Sequence, residues 1–489
     1  MIDLTIDKIG LDHAVERARE RNIIIPTFAQ QKHPELIPRP IQKELTGIGL
    51  WDITPRNLFR ITWHNAPQAF GGGFGPVNFI ELPKALTGVD ARIIVLVGKW
   101  FPTGSHKVGA AFGCLVPRLV TGQFDPTKQK AVWPSTGNYC RGGAYDSTLL
   151  ACDSIAILPE EMSRERFEWL AKVSGEVIAT PGSESNVKEI FDKCHELTRQ
   201  RGDDIFIFNQ FEEFGNYLWH YEITGQAMEE VLEKVLGPED QFFGITSNTG
   251  SAGTIGCGDY LKQLFPTSKV IASEALQCPT LSANGFGAHR IEGIGDKHVP
   301  WIHNVRNTDA ITAIDDEATL ALIRLFNEEV GKGFLVRQGV SAALTDTLDL
   351  VGISGVANIL SAIKTAKWFE LGENDVILTL LTDSMELYQS RIHELRAAHG
   401  EYTEAQAAAD YHRYLLGEST DHMVELTYPD RKRVHNLKYY TWVEQQGKSY
   451  HEIQQQWYDP GYWTGFQGQV GEIDALVTEF NERTGLLKA

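Results

Sequence analysis

The stretch RIIVLVGKWFPTGSHKVGAAFG, residues 92–113, indicates both the fold class and the chemistry of this chain. Its first six residues form an apolar, β-branched run, which is typical of a strand that is buried on both faces. A Gly-Ser turn then leads into the apolar segment VGAAFG, which suits a buried helix. The sequence therefore predicts a strand, a turn that carries Lys107, and a helix, in that order.

The same alternation of short apolar runs and amphipathic stretches continues along the chain. Further strands are predicted at KAVWPS, SIAILP, EVIAT, FFGITSN, KVIASEA and DVILTLL, with helical segments between them. Strands that alternate with helices in this way form parallel sheets whose faces are covered by the helices. We therefore predict an α/β protein with two mostly parallel sheets flanked by helices.

Composition and charge favour small-molecule chemistry. The chain has 489 residues, of which 42% are hydrophobic and 22% are charged, so it can bury a large core. Its formal net charge of −19 argues against a nucleic-acid or anionic-membrane partner, because phosphate recognition normally needs a basic surface.

The cysteines and the apolar segments exclude other classes of protein. The six cysteines lack the paired spacing of a zinc site, so we expect buried free thiols and no metal. The N-terminus lacks the apolar stretch of a signal peptide, and no segment approaches the length of an uncharged membrane span. We therefore expect a cytoplasmic protein.

The two ends of the chain interrupt the alternating pattern. Residues 1–78 and 400–489 contain more aromatic residues and loop signals, such as AFGGGFGP and YDPGYW. We predict an N-terminal extension, a catalytic core over residues 79–399, and a C-terminal extension that packs on the core or at a dimer interface. A lid over the active site is the alternative for the C-terminal extension, whose Trp442, Trp457 and Trp463 we expect to be buried.

Lys107 is the first candidate catalytic residue. It stands where the turn enters the apolar helix, so its ammonium would lie close to the unpaired backbone donors of a helix N-terminus. That placement lowers a lysine pKa, and a lysine that loses its proton readily is what imine formation requires.

A glycine-rich segment follows the predicted strand FFGIT and opens a helix. Its members Gly250, Ser251, Ala252, Gly253 and Thr254 would direct backbone N–H groups and two hydroxyls at one anion. The segment matches neither the dinucleotide-binding nor the ATP-binding glycine pattern, so a compact monophosphate fits better. A simple strand-to-helix turn is the alternative.

A second loop, STGN at residues 135–138, also follows a predicted buried strand. Its hydroxyls and backbone amides can bind a carboxylate without a lysine or an arginine. On this segment alone, a plain Asx or Ser/Thr turn is the more probable interpretation.

Taken together and in order, these motifs resemble the fold-type II pyridoxal-phosphate enzymes. The resemblance is closest to the cysteine synthase and cystathionine β-synthase group, with some likeness to the tryptophan synthase β subunit. It covers residues 79–391 and is carried by TGSHK, STGNYCRGGA, FNQFEEFGNYLWHYEITGQAM, GSAGT, HRIEGIGDKHVP and VGISGVAN. The resemblance implies a two-domain fold with a small mobile subdomain at about residues 107–225, and we expect a homodimer.

The resemblance also implies a role for each residue that matches a family motif. Lys107 would form the Schiff base with pyridoxal 5'-phosphate and move protons. The other cofactor-binding residues would be His106, Asn138, Gly250, Ser251, Ala252, Gly253, Thr254 and Ser384. The substrate-binding residues would be Ser135, Thr136, Gly137, Asn138, Tyr139 and Gln210.

The residue opposite the pyridine nitrogen determines which reaction is favoured. In LLTDSMELYQSR the register of the family places Ser384 there, although Asp383 is its neighbour. A neutral serine leaves the nitrogen largely unprotonated, which favours prompt loss of a β-substituent through an aminoacrylate. The resemblance thus implies β-elimination or β-replacement on an O- or S-substituted L-alanine by a lyase or transferase; the alternative is an ammonia-lyase or dehydratase that needs no second substrate.

Three positions depart from the family pattern. Tyr139 replaces a small threonine, which predicts a reshaped substrate pocket, and Arg141 offers a cation for an acidic substrate side chain. Ala252 replaces a glycine, a change that is tolerable if the local backbone avoids positive φ.

Overall fold

The computed structural model describes residues 1–67 and 72–488. Part of the predicted loop AFGGGFGP, residues 69–71, therefore lies outside the described residues. The strands are β1 (Phe79–Leu82), β2 (Arg92–Val97), β3 (Lys130–Pro134), β4 (Ser154–Pro159), β5 (Glu176–Thr180), β6 (Ile205–Ile207), β7 (Gln241–Asn248), β8 (Lys269–Ala275), β9 (Ala310–Ile314), β10 (Asp375–Leu381) and β11 (Met423–Glu425).

Two separate sheets organise these strands. The larger sheet has the order β1-β2-β10-β7-β8-β9-β11, and the smaller sheet has the order β5-β4-β3-β6. All pairings in the smaller sheet are parallel, and only the edge strands β1 and β11 of the larger sheet run antiparallel to their neighbours. The prediction of an α/β fold with mostly parallel sheets is confirmed.

Helices cover both sheets, because each parallel connection needs a crossover. Helices before β7 are α1 (Lys8–Glu20), α2 (Phe28–Lys32), α3 (Arg39–Leu45), α4 (Lys84–Thr87), α5 (Lys107–Val120), α6 (Asn138–Leu149), α7 (Arg164–Val173), α8 (Val187–Arg201), α9 (Phe214–Trp219) and α10 (Gly225–Val235). The next seven are α11 (Ile255–Leu264), α12 (Thr280–Ala283), α13 (Asp316–Asn327), α14 (Glu329–Arg337), α15 (Ala342–Thr345), α16 (Ile353–Trp368) and α17 (Gln389–His399). The C-terminal helices are α18 (Glu404–Asp410), α19 (Tyr428–Lys438), α20 (Tyr450–Tyr458), α21 (Gly461–Gln467) and α22 (Val470–Thr484).

The C-terminal residues are built into the core. Strand β11 extends the larger sheet at β9, and the predicted aromatic residues Trp442, Trp457 and Trp463 are all buried. Trp442 donates a hydrogen bond from Nε1 to the backbone oxygen of Val299, at 2.8 Å. The C-terminal residues thus fix a loop of the core.

The other sequence expectations for the chain as a whole concern thiols and membranes. All six cysteines are free and buried, as expected. No helix within residues 1–67 and 72–488 is long and apolar enough to cross a membrane.

Candidate active site

Four loops meet where the parallel strands end, which is the usual place for a site in an α/β protein. They follow β2, β3, β7 and β10, and each leads from a strand buried in its sheet to a helical segment. These loops carry Lys107, the STGN segment, the glycine-rich segment, and the pair Asp383 and Ser384. The sheet topology therefore collects residues that are far apart in sequence.

Lys107 is the first residue of α5, and its Nζ atom lies 3.3 Å from the Oγ atom of Ser251. Burial lowers the pKa of Lys107 to about 8, although the charges of Asp296 and Glu184 oppose the change. A lysine with this pKa is partly unprotonated near neutral pH, so its amine can act as a nucleophile or a base.

The glycine-rich segment Gly250–Thr254 connects β7 to α11 and faces Lys107 through Ser251. Asn216 donates from Nδ2 to Ser251 Oγ at 2.9 Å and to the backbone oxygen of Gln210 at 3.0 Å. A side chain at Gly253 would collide with the amide oxygen of Asn216, so the close approach of these two segments requires glycine. The loop is thereby held at the N-terminus of α11.

The backbone at Ala252 differs from the expectation. Its φ is 60°, inside the left-handed region, so the condition that this alanine avoids positive φ is not met. An L-residue other than glycine pays about 1–2 kcal/mol in that conformation because its Cβ approaches the following carbonyl oxygen. The segment thus carries local backbone strain beside Lys107, as is common at ligand-binding loops.

Asn138 is the first residue of α6 and contacts the loop after β10. Its Nδ2 donates to Asp383 Oδ2 at 2.5 Å, and the Tyr388 hydroxyl donates to the same oxygen at 2.5 Å. Burial raises the pKa of Asp383, while these two hydrogen bonds and the nearby guanidinium of Arg166 act in the opposite direction. Asp383 is therefore engaged by neighbouring side chains.

Ser384 and the second oxygen of Asp383, Oδ1, are without hydrogen-bond partners in the described part of the chain. The Ser384 hydroxyl is buried. A buried hydroxyl without a partner costs free energy, so its partner is expected in a bound ligand.

His106 precedes Lys107 and is completely buried. Its ring lies 5.6 Å from the ring of Trp63 and 5.0 Å from that of His220, measured between centroids. Burial, and then the charge of Lys107, lowers the pKa of His106 well below its usual range, so the imidazole is neutral. Neither ring nitrogen has a partner among the residues that the structure describes.

The STGN loop lies across from the glycine-rich segment. Gln210 donates from Nε2 to Ser135 Oγ at 3.2 Å, which brings together two of the residues predicted to bind a substrate carboxylate. Thr136 donates its hydroxyl to Glu184, and Gly137 lies so close to the guanidinium of Arg166 that a side chain there would collide with it. Burial raises the pKa of Glu184 to about 8, against the charge of Arg166.

Tyr139 and Arg141, the two residues of α6 that depart from the family pattern, have different surroundings. Tyr139 packs against Trp133 of β3, with ring centroids 5.4 Å apart, so its substrate-binding role stays a prediction. Arg141 is buried between Trp51 and Trp169, with its guanidinium carbon 5.7 and 4.9 Å from the two ring centroids. Its Nε and Nη1 atoms have no partner in the described chain, which leaves two donors for an anion.

An ion-pair network that the sequence did not reveal surrounds Asp383. Arg166 donates to the Tyr388 hydroxyl at 2.9 Å and to the backbone oxygen of Thr136 at 3.0 Å, and its Nη1 lies 2.6 Å from Glu292 Oε2. We call Asp383, Tyr388, Arg166 and Glu292 the Asp383 network. It joins α7 of the smaller sheet to loops of the larger sheet, and no local sequence signal marks Arg166 as its centre.

Asp296 is the second residue that the sequence did not assign. It is 7% exposed, its Oδ2 atom has no partner in the residues described, and burial raises its pKa to about 8 against the charge of Lys107. The available signal was an acidic residue directly after the glycine pair in HRIEGIGDKHVP.

The buried polar atoms without a partner fit a phosphorylated pyridine cofactor. Around Lys107, the described chain leaves free the following atoms: both ring nitrogens of His106, Asn138 Oδ1, Ser354 Oγ and Ser384 Oγ. Native interiors leave few such atoms, so their collection here indicates a site completed by a ligand. With a glycine-rich anion loop and a reactive lysine, this donor set suits pyridoxal 5'-phosphate.

Comparison with known proteins gives the family. Residues 72–348 match the model of the family described as "Pyridoxal-phosphate dependent enzyme". The chain belongs to this family. It is a pyridoxal 5'-phosphate enzyme of the fold-type II, cysteine synthase-like kind, as the motifs predicted.

Two curated relatives illustrate the likeness. A probable cysteine synthase of Bacillus subtilis is 30% identical over 317 residues, which span 65% of this chain and 94% of the relative. A cysteine synthase of Staphylococcus aureus is 29% identical over 327 residues, 67% of this chain and 95% of the relative.

Solved structures share the fold at lower identity. Cysteine synthase from Entamoeba histolytica superposes with a TM-score of 0.56 at 22% identity, covering 70% of this chain and 93% of the other. The O-acetylserine-dependent cystathionine β-synthase from Helicobacter pylori gives 0.53 at 23% identity, covering 64% and 94%.

Proposed function

We propose that this enzyme eliminates or replaces the β-substituent of an O- or S-substituted L-alanine. The observation that carries the proposal is the buried Lys107 amine, which has a pKa lowered to about 8 and lies 3.3 Å from Ser251 of the glycine-rich loop. A partly unprotonated lysine at the end of a parallel sheet is equipped to hold the cofactor and to move the α-proton of an amino acid.

Different loops of the site would bind different parts of the cofactor and the substrate. Pyridoxal 5'-phosphate, when bound, supplies an electron sink for bonds at the α-carbon of an amino acid. The backbone N–H groups of Gly250–Thr254 and the N-terminus of α11 would hold its phosphate. Asn138 would orient its ring, and Ser135 with Gln210 would bind the substrate carboxylate, since their side chains already contact each other.

Ser384 supports the loss of a β-substituent, a step that the ammonia-lyase alternative shares. Its free, buried hydroxyl suits the pyridine nitrogen; Asp383 Oδ1 is also without a partner, but Oδ2 ties that carboxyl group to Asn138 and Tyr388 through two hydrogen bonds. A hydroxyl, unlike a carboxylate, does not keep the nitrogen protonated, which favours prompt release of a β-substituent. The relatives named cysteine synthase support the same class of substrate.

The test is a panel of β-substituted L-alanines given to the holoenzyme with and without an added thiol. We expect release of the β-substituent, with a new thioether or thiol amino acid when the thiol is present. Pyruvate formation that is unaffected by thiols would favour the ammonia-lyase alternative, and no release from any member would contradict the proposal. Lys107→Ala should be inactive, whereas Lys128→Ala, which changes an exposed lysine, should behave as wild type.

The oligomeric state and the cellular location of the enzyme are also proposals. We propose a homodimer, to be measured by light scattering as twice the mass of the chain, and a cytoplasmic location, to be measured by fractionation. A monomeric active enzyme would contradict the first.

A further inference from the structure

Asp296 is held in place on both sides, yet its side chain is left without a partner. Before it, Gly295 donates its N–H to the backbone oxygen of Thr249, next to the glycine-rich loop, at 2.9 Å. The Thr280 hydroxyl donates to the backbone oxygen of Asp296 itself at 2.7 Å. The carboxyl group is therefore fixed by its backbone and not by contacts of its own.

The residues after Asp296 are fixed by the C-terminal part of the chain. The buried ammonium of Lys438 donates to the backbone oxygens of Trp301 and His303, both at 2.8 Å. Trp442 donates to the oxygen of Val299 at 2.8 Å. Positioning of this kind is typical of reactive groups, because a reaction needs side chains that are placed in advance.

Asp296 lies near Lys107, because its neighbour Gly295 bonds to Thr249, which directly precedes the glycine-rich segment that Lys107 contacts through Ser251. Among the charged groups that act on the Lys107 ammonium, Asp296 acts most strongly, followed by Glu184. Glu184 Oε1 accepts a hydrogen bond from Thr136, and its Oε2, which lacks a hydrogen bond, lies 3.8 Å from the Arg166 Nη1 cation; Asp296 Oδ2 has no hydrogen-bond partner within the described ranges. Glu184 is thus paired with a cation, and Asp296 is the acid of the two that is better suited to exchange a proton with a substrate.

We propose that Asp296 exchanges a proton with the β-substituent, while Lys107 removes and returns the α-proton. This proposal rests on the proposed β-elimination or β-replacement. Since the β-carbon is one bond from the α-carbon that Lys107 serves, a carboxyl group near that lysine is suited to serve the group on the β-carbon. Asp296 is thus a second catalytic residue, and it sets which substituents can leave and enter.

The proton balance closes over the two halves of the reaction. In the first half the α-proton passes to the Lys107 amine, the bond from the β-carbon to its substituent breaks, and the departing group takes its electron pair and a proton from the Asp296 carboxyl. In the second half an incoming thiol or hydroxyl bonds to the β-carbon and gives its proton to the Asp296 carboxylate. Lys107 then returns a proton to the α-carbon, and nothing is oxidised or reduced.

The decisive experiment measures Asp296→Asn holoenzyme on substrates whose leaving groups differ in basicity. L-serine loses hydroxide and L-cysteine loses hydrosulfide, both more basic than the acetate that O-acetyl-L-serine loses. Release of the substituent is measured in a single turnover without added thiol, so that the second half of the reaction does not contribute. We expect the release rate to fall by about 10²–10⁴-fold with hydroxide, the usual contribution of general acid–base catalysis, by less with hydrosulfide, and by less than about 10-fold with acetate. An equal fall for all substrates, or no fall, would overturn the proposal.

A spectroscopic measurement tests the placement of Asp296 independently of turnover. Removing its charge should shift the pH titration of the cofactor absorbance band to lower pH, because the charge favours the protonated nitrogen of Lys107. An unshifted titration would show that Asp296 does not act on Lys107 and would also overturn the proposal.

Glu184→Gln is the matched control, since Glu184 also acts on Lys107 but contacts Thr136. It should shift the titration in the same direction and change KM for all substrates alike, without discrimination by leaving group. If wild-type enzyme releases no substituent from any substrate, the proposed function itself fails, which is distinct from a wild type that reacts and an Asp296→Asn variant that loses no selectivity.

Discussion

Two buried carboxyl groups near Lys107 differ in their contacts. Asp383 Oδ2 accepts hydrogen bonds from Asn138 and Tyr388 within the Asp383 network, which leaves only its Oδ1 without a partner, whereas no side-chain hydrogen bond is described for Asp296, whose Oδ2 is buried without a partner in the described chain. A buried charge with partners holds its neighbours in place, and a buried charge without partners lowers stability. On this difference we assign Asp383 to positioning the site and propose that Asp296 is available for reaction at a cost in stability.

The largest expected effect comes from breaking the Asp383 network at its centre. Arg166→Met would remove the cation beside Glu292 Oε2, leaving only Arg391 on Oε1, and would take a donor from Tyr388 and from the Thr136 carbonyl, so the free energy of unfolding should fall by about 3 kcal/mol. Urea unfolding of the holoenzyme measures this loss. Arg164→Met is the control, because Arg164 pairs with Glu168 at the surface and should contribute less than about 1 kcal/mol; equal losses would show that the network does not stabilise the fold.

Asp296→Asn should raise the free energy of unfolding at alkaline pH, whereas Arg166→Met lowers it. Because burial raises the pKa of Asp296 from 3.8 to about 8, the folded protein keeps a proton that the unfolded chain has lost between these values, and wild-type stability falls as pH rises through that window. Asparagine does not titrate, so at pH 8 the variant should be more stable than wild type by on the order of 2 kcal/mol, with little difference near pH 4. Unfolding measured across this pH range checks the sign, and a variant that is less stable at pH 8 would contradict it.

The smallest expected effect lies in the glycine-rich loop. Ala252→Gly relieves the left-handed alanine, which costs about 1–2 kcal/mol, but it also gives the unfolded chain about 0.5–1 kcal/mol of extra entropy. The net result should be a stabilisation of about 0.5 kcal/mol. Ala405→Gly, in the exposed part of α18, should instead destabilise by up to about 1 kcal/mol, so a loss in both variants would contradict the assigned strain.

Short-range sequence patterns predicted the loops of the site, but they did not predict the contacts between residues that are distant in sequence. The segments with Lys107, STGN and GSAGT each follow a buried strand and open a helix, which is a short-range pattern that the sequence displays directly. The contact between Arg166 and Tyr388 joins residues that are 222 positions apart, and no sequence pattern near Arg166 predicts it. The three residues of β11 are likewise too few to show an alternating pattern.

Residue types also did not predict the backbone conformation of the glycine-rich loop. Alanine rarely adopts positive φ, so the residue type argued against that conformation at Ala252, and only the glycine of the family pattern left it open. The sequence shows Asp296 as an acid near two glycines, but only the fold shows that it is buried, lies near the loop that Lys107 contacts, and has an Oδ2 atom without a partner in the described chain.

We propose that Lys107 holds the cofactor, and borohydride reduction of the holoenzyme followed by peptide mass spectrometry locates the attachment. We expect the reduced cofactor on the peptide that contains Lys107, and we expect Lys107→Ala to abolish both the adduct and the visible absorbance band. An adduct on another lysine of the wild-type enzyme, or an unchanged band in Lys107→Ala, would contradict it.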